Sequence, residues 1–486
     1  MPYREFRWLD DQELQLFTKN VQKISADDDD WFAAEVDIIY PPALHSNNTH
    51  NDLPLAVDKR VISEDMLSEF QKNILSKFPE IKLSKTEKLV PSFLPKTKYV
   101  CLLKNLQFYL AHGLVLKRVH RVLTAKQAAL LEPYITFNST MRSLALTLFE
   151  ISFWKALNNQ LHGKSIQNVR SQLDARVVTT SDQFKKLASN PAVSSVRLLS
   201  RNKVGQQLKK VNNNVAVFLL RKNRVKLDKP VFIGFTILEL SKLLVYTFHY
   251  DYMGQKYGIN CNLLNMDTDG FLYEVFTNNF YNDMLAQLDI FDTSNYPKDH
   301  FLFSLKNKKI PGKLQDEKAG FLIKSYASPK AKMLSLEVVD GVNIVDIHKR
   351  AKGIKKNVIK HDLSHENFKE VVLNEILTYA TMNSFRSINH QMGSYCITKI
   401  GMHSFDDKRY LYSNINSYAY GSCLIPNGLG MQNNNNNNNK LRALESDYDD
   451  NTDDYDETTD YDNTDNYDET TDYDYTDDYD DDMDTE

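Results

Sequence analysis

The sequence predicts an α+β fold followed by an acidic tail that has no core, and three observations support this. Segments with strand and helix periodicity alternate irregularly through residues 1–439, which argues against a parallel doubly wound sheet. Hydrophobic residues make up 42% and aromatic residues 11% of the 486 residues, enough for more than one core. Residues 440–486 hold 22 acidic and two basic residues, a composition that cannot bury a core, so we expect disorder over residues 426–486.

The individual elements follow from the spacing of the apolar residues. Apolar runs or alternation over short spans predict strands at 31–40, 97–104, 113–123, 213–221 and 230–234. Apolar residues at three- and four-residue steps predict helices at 139–162, 235–254 and 364–380. Residues 259–276 predict two strands joined at an aspartate-rich turn.

The net charge of −5 conceals two oppositely charged parts. With the tail set aside, residues 1–439 contain 57 basic and 42 acidic residues, a net charge of +15. Such a body is consistent with a polyanionic partner such as nucleic acid, or simply with a soluble basic surface. The tail carries seven consecutive asparagines at 433–439 and a twelve-residue repeat from Tyr455 and Tyr467. It is either an acidic arm that competes for the basic body or an expanded repeat without a role, and we favour the second.

Targeting and cysteine patterns point to an intracellular protein. The N-terminus is charged and lacks the apolar segment of a signal peptide, and we expect no stretch of about 18 apolar residues that would span a membrane. The cysteines (Cys101, Cys261, Cys396 and Cys423) are scattered without a C-x-x-C pair. A reducing compartment, nucleus or cytoplasm, is therefore expected.

The most informative segment is Asp267-Thr268-Asp269-Gly270, between two apolar strands. Two carboxylates at a strand end suit a divalent metal used in phosphoryl transfer. An ordinary Asp-Gly turn explains the four residues equally simply and is favoured if they are taken alone. A calcium loop counted from Asn265 is excluded, because its twelfth position is Phe276 instead of glutamate.

Several segments together resemble one protein family. The turn and the following Phe271-Leu272-Tyr273-Glu274 resemble motif C of family B DNA polymerases, and residues 153–164 (FWKALNNQLHGK) resemble motif B. Other segments resemble, in the same order, the protein-primed polymerases of Maverick or Polinton transposons: residues 6–10, 35–41, 51–56, 119–123, 291–297, 349–353 and 405–410. The resemblance covers about residues 3–420.

The resemblance implies a partial right-hand polymerase fold of palm, fingers and thumb, and templated addition of deoxynucleotides by two Mg²⁺ ions. It implies a primer–template DNA, a deoxynucleoside triphosphate and a terminal protein primer as partners, and no membrane. The implied domains are a partial palm with an insertion-like segment (1–134), fingers (135–185), palm with motif C (186–300), thumb (301–425) and the tail (426–486).

The resemblance also assigns roles to individual residues. Asp269 would be the principal catalytic metal ligand, with Asp267 beside it. Nucleotide binding would fall to Arg142, Lys155, Asn159 and Gly163. DNA phosphates would be contacted by Lys164, Lys332, Lys349, Lys352, Lys355 and Lys356. A solvated basic loop is the alternative interpretation of these lysines.

Departures from the family pattern bear on activity. The second metal aspartate of the family lies in motif A, D-x-N-N-L-Y-G, and the counterparts of this motif and of the exonuclease domain would precede Met1. Asp37 has the wrong spacing from Tyr40-Pro41 to replace the motif A aspartate. The motif B serine is Gln160, position 162 is histidine, and residues 143–148 (SLALTL) lack the expected lysines. Gly270 occupies the position of a serine in motif C, and Leu334 occupies the position of a tyrosine in the family's thumb-proximal motif. We therefore expect a DNA polymerase remnant with little primer extension; the alternative is a non-catalytic nucleic-acid-binding protein derived from such a polymerase.

Overall fold

The computed structural model describes residues 1–26, 28–170, 172, 174–198, 215–222, 224–388 and 391–425. It is a mixed α+β structure, as predicted. The predicted tail at 426–486 lies outside the described residues. The first part contains β1 (Pro2–Trp8), α1 (Asp11–Asn20), β2 (Asp30–Ile39), α2 (Asn48–Asp52), β3 (Asp58–Arg60), α3 (Glu69–Lys77), β4 (Lys88–Val90), β5 (Lys96–Leu102), α4 (Leu103–Ala111) and β6 (Val115–Gln127).

An antiparallel sheet with the order β1-β6-β2-β5 forms the base of this part. On β2, Ala34, Val36 and Ile38 are buried in one core with residues of α4, because alternate side chains of a strand share a face. The predicted strands at 31–40, 97–104 and 113–123 are confirmed as β2, β5 and β6.

The middle part contains α5 (Glu132–Leu144), α6 (Leu148–Ser165), β7 (Asp174–Val178), α7 (Ser181–Ala188), β8 (Val193–Leu198), β9 (Ala216–Leu220) and α8 (Val231–Thr247). The single helix predicted at 139–162 is interrupted, because Thr147 and Glu150 form a capping box that starts α6. The strand predicted at 213–221 corresponds to β9, while 213 and 214 lie outside the described residues. The strand predicted at 230–234 is wrong: these β-prone residues begin α8, where tertiary packing overrides local propensity.

A continuous helical segment links α8 to the aspartate hairpin. After α8 come a π-helical turn (Phe248–Gly254), α9 (Gln255–Tyr257), β10 (Cys261–Asp267) and β11 (Gly270–Val275). Within the described ranges, Val231–Asn260 is long and apolar enough to cross a membrane by length and composition alone, so the prediction that no stretch reaches this length is wrong. Within this segment, α8 contacts α4, α6, β1 and β5.

The last part contains α10 (Phe280–Leu285), β12 (Leu322–Lys330), β13 (Met333–Asp340), β14 (Asn343–Ala351), α11 (Lys356–Asp362), α12 (His365–Leu373), β15 (Tyr379–Ile388), β16 (Gln391–Ile400), β17 (Tyr410–Leu411) and β18 (Ser417–Tyr418). The helix predicted at 364–380 ends at Leu373, and the chain enters β15 at Tyr379. Strands β12, β13 and β14 form an antiparallel meander on which α12 packs.

Candidate functional site

The aspartate turn is tight and strained. Strands β10 and β11 are antiparallel, and their last pair joins Asp267 to Gly270. The Asp269 N–H donates to the Asp267 carbonyl at 2.8 Å, and Thr268 between them has a φ of 61°. A β-branched residue rarely adopts this left-handed conformation, which costs about 1–3 kcal/mol and is found mostly at functional sites. The predicted hairpin is confirmed, and its tip carries both carboxylates.

The base of the hairpin is fixed by two side chains whose contacts were not predicted. The Asp52 carboxylate accepts a hydrogen bond from the Leu263 N–H at 3.0 Å. Burial raises the pKa of Asp52, while this hydrogen bond and the positive charge of Arg409 oppose the increase. Arg409 in turn donates to the Asn51 carbonyl at 2.9 Å and to Ser417 at 2.7 Å. The 51–56 and 405–410 segments, which belong to the resemblance, therefore meet behind the hairpin.

A predicted DNA-binding lysine lies beside a predicted metal ligand. The Lys332 ammonium is 3.8 Å from the Asp267 carboxylate, and the two side chains are 43% and 44% exposed. Lys332 has a φ of 63°, and its carbonyl accepts from the Lys352 N–H at 3.0 Å. A half-exposed ion pair is worth about 1 kcal/mol or less. A metal ion or a phosphate group can therefore displace this contact at small cost.

The donor set at the hairpin suits one metal ion better than two. Asp267 and Asp269 supply two carboxylates, and Mg²⁺ binds readily to one or two carboxylates plus substrate phosphates. In the described part of the chain, no cluster of three or more histidine, cysteine, aspartate or glutamate side chains is positioned to hold a metal. Asp37, set aside above as a replacement ligand, accepts hydrogen bonds from the Lys98 N–H and from His120, each at 2.8 Å.

The predicted nucleotide-binding residues lie on α5 and α6. Lys155, Asn159 and Gly163 are four residues apart and share one face of α6, where Lys155 and Asn159 are exposed. Arg142 is in the last turn of α5. Gly163 is part of the helix, and His162 has a pKa lowered by burial.

A loop that sequence reasoning missed brings two more cations to these helices. The Lys308 ammonium donates to the Ser143 carbonyl at 2.8 Å. Burial and the positive charges of Arg142, Lys308 and Lys155 lower the pKa of Lys309, against the opposing charge of Asp292. Arg142, Lys155, Lys308 and Lys309 are called the basic cluster below. The sequence signal was only a lysine-rich stretch, Lys306-Asn307-Lys308-Lys309, in a segment without periodicity.

A glycine lets α6 approach α8. A Cβ atom at Gly234 would lie 2.1 Å from Ile166 Cγ2 and 2.3 Å from Ser165 Oγ. Real Cβ contacts are never this short, so the end of α6 rests on α8 at a site that only glycine allows. Because α8 continues into the hairpin, one helix supports both the carboxylates and the face of α6.

The remaining predicted DNA-binding lysines fall into two groups. The Lys349 ammonium donates to the Lys360 carbonyl at 3.2 Å and to the Leu363 carbonyl, so it stabilises the C-terminal end of α11. The others are exposed: Lys164, Lys352, Lys355 and Lys356. The fold therefore uses Lys349 internally, whereas the other four lysines lie at the surface.

No protein-family model and no curated protein matches the chain. Among solved structures it is similar to phi29 DNA polymerase complexed with primer-template DNA, with a TM-score of 0.45, 12% identity, and coverage of 82% of this chain and 54% of that chain. It is also similar to phi29 DNA polymerase complexed with primer-template DNA and incoming nucleotide substrates, with a TM-score of 0.40, 14% identity, and coverage of 83% and 61%. The chain thus spans a little over half the length of these polymerases.

Proposed function

We propose that this chain is a polymerase-like protein that binds primer–template DNA and a deoxynucleoside triphosphate, and that it derives from a protein-primed family B polymerase of a Maverick or Polinton transposon. The basic cluster is the observation that carries the proposal. It joins Lys155, which lies in the segment that resembles motif B, and Arg142 to a loop that follows the motif C hairpin. We propose that the protein is located in the nucleus or cytoplasm.

The proposed roles follow from the chemistry of each group. Lys155 and Arg142 attract the triphosphate. Asn159 and Gly163 lie on the same face of α6 as Lys155, where they would contact the nascent base pair. Asp267 and Asp269 would hold Mg²⁺, which would neutralise phosphate charge and orient the substrate. The exposed lysines named above, with Lys332, meet the phosphates of the DNA backbone.

We further propose that the polypeptide 1–486 extends primers weakly or not at all. Two-metal transfer needs carboxylates that bridge both ions, and the hairpin supplies its pair from a single turn.

DNA binding is tested by fluorescence anisotropy with a labelled primer–template at several salt concentrations. We expect affinity to fall steeply as salt rises, since binding releases counterions from the phosphates. Lys352→Ala with Lys355→Ala should weaken binding and lower the salt slope by about two. Lys19→Ala on α1 is the matched control and should change neither value. Binding that does not respond to salt would contradict the proposed function.

Catalysis is tested by Mg²⁺-dependent primer extension, with Asp269→Ala as the control. We expect the wild-type chain to give little product above this control. Robust synthesis that Asp269→Ala abolishes would refute the proposed inactivity and would make the chain a working polymerase.

A non-catalytic nucleic-acid-binding protein of the same origin is the second candidate. The exposed leucines where the family carries lysines favour it: Leu146 is 95% exposed between α5 and α6. This candidate predicts salt-sensitive DNA binding without Mg²⁺-dependent nucleotide binding. Titration of the DNA complex with a fluorescent deoxynucleoside triphosphate distinguishes the two.

A further inference from the structure

We propose that the loop of residues 291–315 completes a polyphosphate site against the end of α5, with Lys309 and the Gln315 amide as its ligands alongside Arg142. The inference rests on the proposed function, because the phosphates would arrive as part of a nucleotide. It assigns the binding of the terminal phosphates to a segment outside the motif B resemblance.

The loop is held rigidly by its own hydrogen bonds. The buried Asp292 carboxylate accepts from the Ser294 N–H at 3.0 Å and from the Lys309 N–H at 2.9 Å. The buried Asn307 amide donates to the Leu288 and Phe291 carbonyls, each at 2.8 Å. Lys309 has a φ of 56°, a conformation held by these contacts. A cation on such a loop has a fixed position, as a phosphate site requires.

The same loop contacts the helices across the site. The Lys308 ammonium donates to the Ser143 carbonyl at 2.8 Å, next to Arg142. The Lys309 ammonium donates to Gln315 Oε1 at 3.1 Å, which orients the amide so that its nitrogen remains for another acceptor. The loop therefore contacts the end of α5 and places Lys309 and Gln315 side by side.

Two N–H donors in this region, one on α5 and one on the loop, have no hydrogen-bond acceptor. In the described structure, Arg142 Nε and Gln315 Nε2 are shielded from solvent and make no hydrogen bond. Buried N–H groups are nearly always paired, so two orphans in one basic neighbourhood indicate a missing acceptor. A ligand rich in oxygen acceptors would satisfy both.

The charge balance identifies the ligand as an anion. Lys309 and Arg142 both interact with the Asp292 carboxylate, whose oxygens already accept two backbone hydrogen bonds. Lys308 and Lys155 add positive charge near Lys309. The uncompensated positive charge is costly where the side chains are partly buried. A polyphosphate brings several negative charges and many acceptors into a compact volume, which suits these groups better than a stretch of DNA backbone would.

The test measures binding of inorganic tripolyphosphate by isothermal titration calorimetry. Lys309→Met and Gln315→Leu keep side-chain size while removing the charge or the amide donor. We expect Lys309→Met to weaken binding about tenfold or more, the loss typical of a charged hydrogen bond, and Gln315→Leu to weaken it less. Lys306→Met is the matched control from the same loop, because Lys306 pairs at the surface with Asp289 at 2.7 Å. Circular dichroism of each variant shows whether it is folded.

The outcomes separate the inference from the function on which it rests. Loss of tripolyphosphate binding in Lys309→Met and Gln315→Leu, with Lys306→Met unchanged, supports the site. Wild-type affinity in both loop variants, or no binding by the wild-type chain, overturns it. Repeating the titration with a deoxynucleoside triphosphate distinguishes a nucleotide site from a site for free polyphosphate. Tripolyphosphate binding by a chain that fails to bind DNA would support the anion site while refuting the proposed function.

Discussion

Replacing Gly234 with alanine tests whether α8 positions the face of α6 that we propose binds the nucleotide. The new Cβ would lie 2.1 Å from Ile166 Cγ2 and 2.3 Å from Ser165 Oγ, so the end of α6 must move. Alanine in place of glycine gains about 1 kcal/mol of helix propensity. Overpacking of this kind costs about 1–3 kcal/mol, and two contacts below 3.0 Å put the cost near the upper end. We therefore expect a net destabilisation of about 2 kcal/mol and weaker nucleotide binding.

The assay combines urea denaturation with nucleotide titration, and a rescue variant isolates the contact. Ser165→Ala with Ile166→Ala removes both clashing atoms; Ile166 is 38% exposed, so its truncation alone costs little. In that background, Gly234→Ala should be close to neutral, giving a coupling energy above about 1 kcal/mol. Equal destabilisation by Gly234→Ala in both backgrounds would refute the proposed contact. Unchanged nucleotide affinity despite lost stability would separate the contact from the site.

Three further predictions follow from the fold and the charge distribution. Arg409→Met should destabilise the chain by about 2 kcal/mol, because Asn51 and Ser417 lose their donor and Asp52 loses its positive neighbour; urea denaturation against the exposed Arg4→Met checks this. Burial lowers the pKa of His249 from 6.5 to about 4, so between these pH values the unfolded chain binds a proton that the folded chain does not. The free energy of unfolding should therefore fall as pH decreases from 6.5 towards 4, and an equally steep fall in His249→Gln would contradict this. Deleting residues 440–486 removes a net charge of −20 and should tighten DNA binding at low salt if the tail competes; equal anisotropy curves would leave the tail without this role.

Local sequence patterns predicted the elements whose periodicity agrees with their surroundings. The alternation in β2 and the apolar strands around Asp267 could be interpreted directly, since one face of each is buried. Residues 231–234 could not, because β-branched and aromatic residues favour a strand until α8 is seen packed against β1 and β5. The end of α12 at Leu373 was missed for a similar reason, since the apolar pattern continues into β15.

The candidate site was predictable only where a motif names its residues. Asp267, Asp269 and Lys155 could be assigned from the motif resemblance, and these assignments stay predictions. Lys308 and Lys309 could not, because they lie in an irregular loop about 150 residues from α6 and only the tertiary fold brings them to Arg142. The role of Lys349 at the end of α11 also depends on folding, since the resemblance grouped it with Lys352 as a DNA contact.

The hairpin is braced from two sides, which explains how a strained turn can persist. His249, in the π-helical turn after α8, shares a hydrogen bond with the Tyr273 hydroxyl at 2.9 Å and another with the Thr49 carbonyl at 2.9 Å. On the other strand, Asp52 accepts from the Leu263 N–H at 3.0 Å. Both braces lead to α2 and neither involves Asp267 or Asp269. The fold itself therefore positions the two carboxylates. If they hold Mg²⁺ as proposed, loss of either brace should change the affinity for the ion without removing a ligand.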